Sequence, residues 1–190
     1  MTRKTIVGVA GMPGAGKAVV VEVAKKLGHE VIVMGDEVRI ETKRRGLEPT
    51  SQSMGEVMLK MRSEEGSTVV AERCIPKIEK LKSKIIIVDG IRSVFEADAF
   101  RKRFPDFMLL GIHASPKTRY NRLFKRKRND DPTTWQAFLE RDRRELQVGL
   151  GSVIASADLM VINEGRKVEL KKNIESLLEK VRIGENRWQT

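Results

Sequence analysis

A chain of 190 residues with 40% hydrophobic and 33% charged residues is long enough for one domain with a sizeable core. It has no run near the roughly 18 apolar residues of a membrane span, its N-terminal apolar run is too short to be expected as a signal peptide, and its single cysteine excludes an internal disulfide. The expected compartment is therefore the cytoplasm, and the net charge of +11 fits a polyanionic partner such as RNA or an enzyme whose two substrates both carry phosphates.

The first predicted element is a strand, Ile6–Ala10, followed at once by Gly11-Met12-Pro13-Gly14-Ala15-Gly16-Lys17-Ala18. This spacing is G-x-x-x-x-G-K-[ST] except at its last position. Glycines let the backbone curl around phosphates without Cβ clashes. Lys17 adds a mobile positive charge, and a helix over 18–27 would aim its N-terminal amides at the same anion. An ordinary glycine-rich turn is the bland alternative; the strand before it and the helix after it favour a triphosphate loop. Ala18 lacks the hydroxyl that usually touches Mg²⁺. That departure leaves the amides and lysine in place, and Mg²⁺ can fill the position with water.

A second strand, Val31–Met34, runs into Gly35-Asp36-Glu37-Val38-Arg39, with helical patterns over 37–45 and a longer 53–82 stretch. Asp36 and Arg39 lie one helical turn apart, on one face. Cys74 falls in the longer stretch and reads as a small core residue rather than a nucleophile. A third strand, Ile85–Val88, ends on Asp89-Gly90-Ile91-Arg92-Ser93, ahead of a helix over 94–103. A carboxylate closing a buried strand is costly unless it is paired or serves a cation. Beside a phosphate loop Asp89 is expected as a Mg²⁺ ligand, direct or through water, with a helix cap as the alternative. Arg39 and Arg92, each after a strand-end aspartate, are candidate phosphate binders.

The fourth strand, Phe107–Ile112, precedes a helix over 116–127, and the segment Lys117–Arg128 holds seven basic residues and no acid. On that helix Tyr120, Leu123, Phe124 and the stem of Lys127 share one face, with Arg119, Arg122 and Arg126 on a neighbouring stripe. Asn129-Asp130-Asp131-Pro132 breaks it, and a helix over 134–148 carries Arg141, Arg143 and Arg144. The pattern favours a lid that brings arginines to a transferring phosphoryl group; a solvated or RNA-binding basic face is the other reading. A last strand, Leu159–Ile162, leads through Asn163-Glu164-Gly165 to a helix over 167–181 and a loose tail at 184–190. This βαβ rhythm predicts a parallel sheet covered on both faces, with ligands beyond the carboxyl ends of its strands.

In order, Gly11–Lys17, Gly35-Asp36-x-x-Arg39, Asp89-Gly90-x-Arg92, Arg122-x-x-x-Arg126 and Arg128-x-Asp130-Asp131 followed by Arg141 resemble adenylate and other nucleoside-monophosphate kinases. The closest resemblance is to a mainly archaeal adenylate-kinase-related, dephospho-CoA-kinase-like family, over about residues 4–180. It implies a P-loop NTPase three-layer α/β sandwich with a parallel five-stranded sheet. It further implies one kinase domain over 1–183, a helical acceptor insert at about 36–82 and a short lid at about 122–133. ATP and Mg²⁺ are the implied cofactors. By the same carry-over, Gly11, Met12, Pro13, Gly14, Ala15, Gly16, Lys17 and Ala18 would hold the triphosphate. The Asn163 loop would lie beside the donor adenine. Lys17, Arg122, Arg126, Arg128 and Arg141 would serve the donor and the transition state. Arg39 and Arg92 would hold an acceptor phosphate, Asp89 the metal, and Asp36 would orient the acceptor or act as base. The family pattern has a serine after the lysine, from which Ala18 departs. The expected function is transfer of the γ-phosphoryl group of ATP to a small nucleotide-like acceptor. AMP or another nucleoside monophosphate comes first, then the ribose hydroxyl of dephospho-CoA. The rivals are an ATP-binding RNA- or ribosome-associated factor and a regulator with little turnover.

Overall fold

Five parallel strands form one sheet in the order β2-β3-β1-β4-β5: β1 (Thr5–Ala10), β2 (Glu30–Val33), β3 (Ile85–Asp89), β4 (Phe107–His113) and β5 (Leu159–Ile162). The structure, a computed structural model, describes residues 4–128 and 131–183; the expected tail at 184–190 and Asn129 and Asp130 of the expected lid lie outside the described residues. The sequence rhythm is why the sheet is parallel and internal. In β3, Ile85 and Ile87 face one core and Ile86 and Val88 the other, and in β1 Val7 and Val9 oppose Ile6 and Ala10. Strands apolar on both faces need a helical layer on each.

One layer is α1 (Lys17–Lys26) and α9 (Lys167–Ile183), which bury Val20, Val23, Ile174 and Leu178 against the sheet. The other core collects α2 (Met34–Arg44), α3 (Ser51–Glu65), α4 (Val69–Lys80), α5 (Val94–Arg103) and α8 (Leu150–Ala155) around Met61, Ile78, Phe100 and Val153. Between β4 and α8 lie α6 (Pro116–Arg126) and α7 (Trp135–Gln147). Among the described residues no helix is long and apolar enough to cross a membrane.

Three local differences from the sequence reading have physical causes. The expected 53–82 helix is two helices, because Gly66, at φ 105°, closes α3 before α4 starts at Val69. Met34 begins α2 rather than ending β2, so Gly35 and Asp36 belong to a helical first turn, where Asp36 and Glu37 complement the dipole. The extra helix α8 follows Gly149 at φ 106° and spans six residues, too few to show a period. Cys74 is fully buried in α4, and burial pushes its thiol up to about 12, as befits a core residue.

Helices α2, α3 and α4 are tied by a charged hub. Buried Glu41 accepts from Arg44 at 2.8 Å, Arg45 at 2.8 Å and Arg73 at 3.0 Å, while Arg45 and Arg73 reach on to Glu64 and Glu65 of α3. The hub joins three helices that send Met34, Val38, Met61 and Ile78 into the same core as Ile86 and Val88 of β3.

Candidate active site

The loop from Gly11 to Gly16 joins the buried end of β1 to the first turn of α1. Close approach dictates its glycines. A Cβ at Gly14 (φ 81°) would stand 2.8 Å from the Arg119 carbonyl oxygen, and one at Gly11 would stand 2.6 Å from that of Ile112. Gly16, at φ 115°, starts α1 with no side-chain cap, leaving the first amides of α1 for another acceptor. Lys17 donates its Nζ to the Gly11 carbonyl. Burial pulls its ammonium down to about 8, while Asp89 pushes the other way. Ala18 lies exposed on the same turn and lines the same cleft; Met12 and Ala15 are buried behind the loop and shape it from there.

The cleft over this loop holds about 370 Å³. Its floor is Gly11, Pro13, Gly14, Gly16 and Lys17, and its far wall is Asp89, Gly90 and Arg92 from the end of β3. The amides of Gly90 and Ile91 both donate to the Val9 carbonyl, at 3.1 and 3.2 Å, which folds the turn across the end of β1. Asp89 thereby points a buried Oδ1 that has no hydrogen-bond partner, and burial raises its carboxyl above the usual range against the pull of Lys17 and Arg92. Arg92 is held from three sides. Its Nη1 donates to the Gly90 carbonyl at 3.2 Å, its Nε lies 3.4 Å from Glu145 of α7, and its backbone N–H donates to buried Glu96 at 2.8 Å.

The roof comes from α6 and α7. Arg122, Arg126, Arg128, Arg141 and Glu145 all line the cleft. Arg122 donates to the Asn163 carbonyl at 3.0 Å and to its Oδ1 at 3.2 Å, and Asn163 Nδ2 donates to the Ala15 carbonyl at 2.7 Å. The Asn163 side chain is thus spent bracing the loop and α6. Asp131 accepts from Arg126 at 2.9 Å and from the Arg128 N–H at 2.9 Å, closing the turn in which Lys127 ends α6 at φ 54°. Arg141 stands 3.9 Å from the same carboxylate.

Sequence reasoning set Arg119 on the arginine stripe of α6 but foresaw no role here for it, for Asp142 or for Glu145. Arg119, 4% exposed, donates to Asp142 at 2.7 Å, to the Ala114 carbonyl at 3.0 Å and to the Pro13 carbonyl at 3.3 Å, with its guanidinium 5.0 Å from the Phe138 ring centre. It binds α6, α7 and the phosphate loop into one unit. The available signals were the phase of Arg119 with Leu123 and that of Asp142 with Phe138, both pointing inward.

Asp36 and Arg39 are not brought into the cleft lining. They pair with each other on the exposed first turns of α2, although the charge of Asp36 is still felt at Asp89. A second hollow of about 670 Å³ adjoins the first. It lies between α3 (Gln52, Gly55, Met58) and α7 (Ala137, Arg144), and shares Arg141 and Glu145 with the first.

The residues present fit a divalent cation. An orphaned carboxylate oxygen inside a cleft is costly until a cation or donor takes it, and a hard oxygen ligand suits Mg²⁺. Among the described residues no group of three or more His, Cys, Asp or Glu could hold a metal, so phosphate oxygens and water would complete its shell.

The sequence profile of the AAA domain family matches residues 10–138. A UPF0200 protein of Methanothermobacter thermautotrophicus is 44% identical over 176 residues, covering 93% of this chain and 90% of that one. A UPF0200 protein of Thermococcus gammatolerans is 44% identical over 186 residues, covering 96% and 98%. Among solved structures, a shikimate kinase from Acinetobacter baumannii in complex with shikimate superposes with a TM-score of 0.60 at 13% identity, covering 98% of this chain and 97% of that one. A gluconokinase from Sinorhizobium meliloti gives 0.58 at 14% identity, covering 100% and 99%. At these identities the likeness is one of fold: an α/β fold with a five-stranded parallel sheet and P-loop kinase neighbours.

Proposed function

The chain belongs to the UPF0200 family and to the AAA domain family, and on that premise we propose that it is an ATP-dependent kinase passing the γ-phosphoryl group to a small nucleotide-like acceptor, with AMP or another nucleoside monophosphate first. One observation carries this reading: Lys17, Arg92, Arg122, Arg126, Arg128 and Arg141 line one cleft. Binding one triphosphate takes a loop and a lysine. A second anion placed in line with it takes more positive charge, and phosphoryl transfer is catalysed mainly by positioning and charge neutralisation.

In this reading residues 1–183 form one kinase unit, with the acceptor insert within about 36–82 and the lid at about 122–133. The amides of Gly14, Gly16 and Lys17 cradle the β- and γ-phosphates, with Lys17 as the mobile charge. Arg122 and the Asn163 turn face the donor base. Arg92, fixed by Glu145, holds the acceptor phosphate, and Arg39 and Asp36 stand at the acceptor's entrance. The hollow between α3 and α7 receives the rest of the acceptor. Arg126, Arg128 and Arg141 neutralise the equatorial oxygens. An oxygen of the acceptor phosphate forms a bond to the γ-phosphorus as the bridge to the β-phosphate breaks, and the electron pair leaves with ADP. No proton need move, so no base is required. Asp89 would hold Mg²⁺, directly or through water, and the ion supplies further neutralisation of phosphate charge. A kinase that draws on the ATP pool would work in the cytoplasm.

The test is turnover of ATP with AMP, CMP, UMP, GMP and dephospho-CoA, with product masses measured. The reading predicts a nucleoside diphosphate from at least one monophosphate. Product from dephospho-CoA alone would overturn it in favour of a hydroxyl acceptor, and ATP consumption with no phosphorylated product would overturn the kinase reading.

A further inference from the structure

The outer face of α6 is unlike its inner one. Arg119, Arg122, Leu123 and Arg126 turn toward the loop and cleft. By helical phase, Lys117, Asn121, Phe124 and Lys125 share the opposite side, and all four are exposed. Phe124 is 50% exposed and Trp135, at the start of α7, is 43% exposed. Tyr120 links them, with ring centres 5.9 Å from Phe124 and 5.2 Å from Trp135. Trp135 in turn stacks on buried Phe138 at 5.0 Å, so its ring is anchored from beneath. Two half-exposed aromatic rings are therefore held in place next to a helix face that carries Lys117 and Lys125, for which no ion pair forms among the described residues. Helix α6 contains no acidic residue.

We propose that this ledge, the outer face of α6 with the first turn of α7, docks single-stranded RNA. The chemistry is that of a stacking platform in a basic setting: every base offers a π-face to Phe124 or Trp135, and each flanking lysine meets a phosphate. Asn121 stands between the lysines, and its amide can donate to and accept from a 2′-hydroxyl. Charge complementarity favours a polyanion, since the whole chain carries +11. Duplexes keep their bases stacked on each other and would not use the rings. The surface lies on the far side of α6 from the cleft arginines, so the proposal does not depend on the kinase reading.

The experiment follows a fluorescently labelled mixed-sequence 12-nucleotide RNA by anisotropy, with the full chain, from 50 to 300 mM salt. Binding is expected, with affinity falling steeply as salt rises. Replacing both Lys117 and Lys125 by alanine should flatten the log–log salt slope by about 1.4, at about 0.7 per phosphate contact on a single strand. Phe124→Ala should weaken binding about tenfold and leave the slope unchanged, since stacking carries no counterion release. In a Trp188→Phe background, RNA should quench the remaining emission of Trp135. Unchanged affinity in both the lysine and the Phe124 variants overturns the proposal, as does equal affinity for a duplex of the same sequence. Equal affinity for the matching single-stranded DNA overturns the choice of RNA. A parent protein that is dimeric and a Phe124→Ala protein that is monomeric would assign the ledge to a second copy of this chain instead. The thermal melting midpoint serves as the folding control and should be the same in all variants.

Discussion

Lys17 stands between two demands. Half-buried under the loop, its ammonium titrates near 8, because burial disfavours the charged form more than Asp89 restores it. A triphosphate needs that charge. In the proposed reading the free protein holds the proton below about pH 8, so ATP affinity is flat there. Above it the lysine must be reprotonated on binding, and affinity falls by up to about tenfold per pH unit. Calorimetric titrations with ATP between pH 6.5 and 9.5 check this; a flat profile to pH 9.5 would show that Lys17 keeps an ordinary ammonium despite its burial. Asp89 is the complement, a buried acid lining the same cleft whose Oδ1 has no hydrogen-bond partner. Ala18 alters neither of them. It takes away a hydroxyl ligand and leaves the loop geometry, which Gly11, Gly14 and Gly16 set, as it was.

At the scale of elements, a buried pair helps to join the roof of the cleft to its floor, alongside the Arg122–Asn163 brace. Arg119 and Asp142 connect α6 to α7, and the same guanidinium holds the Pro13 carbonyl. Asp142→Ala should cost about 3 kcal/mol, because it strands a buried charge. An apolar exchange of both residues, Arg119→Met with Asp142→Leu, should recover most of that stability but not the ATP affinity, because nothing then holds Pro13. Thermal melts with and without ATP separate the two effects; recovery of both would reduce the pair to packing. This pair also shows where sequence reading stops. The strands were legible because β1, β3 and β4 alternate between two cores, and the phosphate loop and Asp89 because each is a contiguous run after a strand. Which of Asp142 and Glu145 meets Arg119, 23 residues or more away, depends on how α7 is laid against α6, and no local spacing encodes that. The 3-residue spacing of Asp36 and Arg39 did place them on one helical face, but they satisfy each other there, outside the cleft lining.

Across the whole molecule, the proposed insert is one block because Arg45 and Arg73 tie Glu41 of α2 to Glu64 and Glu65 of α3. Hydrogen bonds from Arg44 and Arg45, then Arg73, hold the Glu41 carboxyl well below the usual range against the opposing effect of burial. A folded value below the unfolded one, about 4.3, means that the hub stabilises the fold fully above that pH. The contribution drains away as pH falls toward the folded value. Glu41→Gln should therefore lower stability at pH 7 by about 3 kcal/mol and show a shallower further loss between pH 5 and 3 than the parent, as read by urea unfolding. Equal acid slopes would show that the hub does not couple to pH. The block matters because the second hollow opens between its α3 and the roof helix α7, beside the arginine cleft. In the proposed reading that adjacency gives the rest of the acceptor its room, next to the cations that would hold two anions. The most direct measurement is the affinity of a bisubstrate compound, two adenosines joined by five phosphates, against ATP and AMP alone. A site built for both ends should bind it at least about a hundredfold tighter than ATP, since the second end binds at high effective concentration, and Arg92→Ala should abolish most of that gain. Affinity equal to that of ATP would contradict a two-phosphate site and leave only a nucleotide-binding loop.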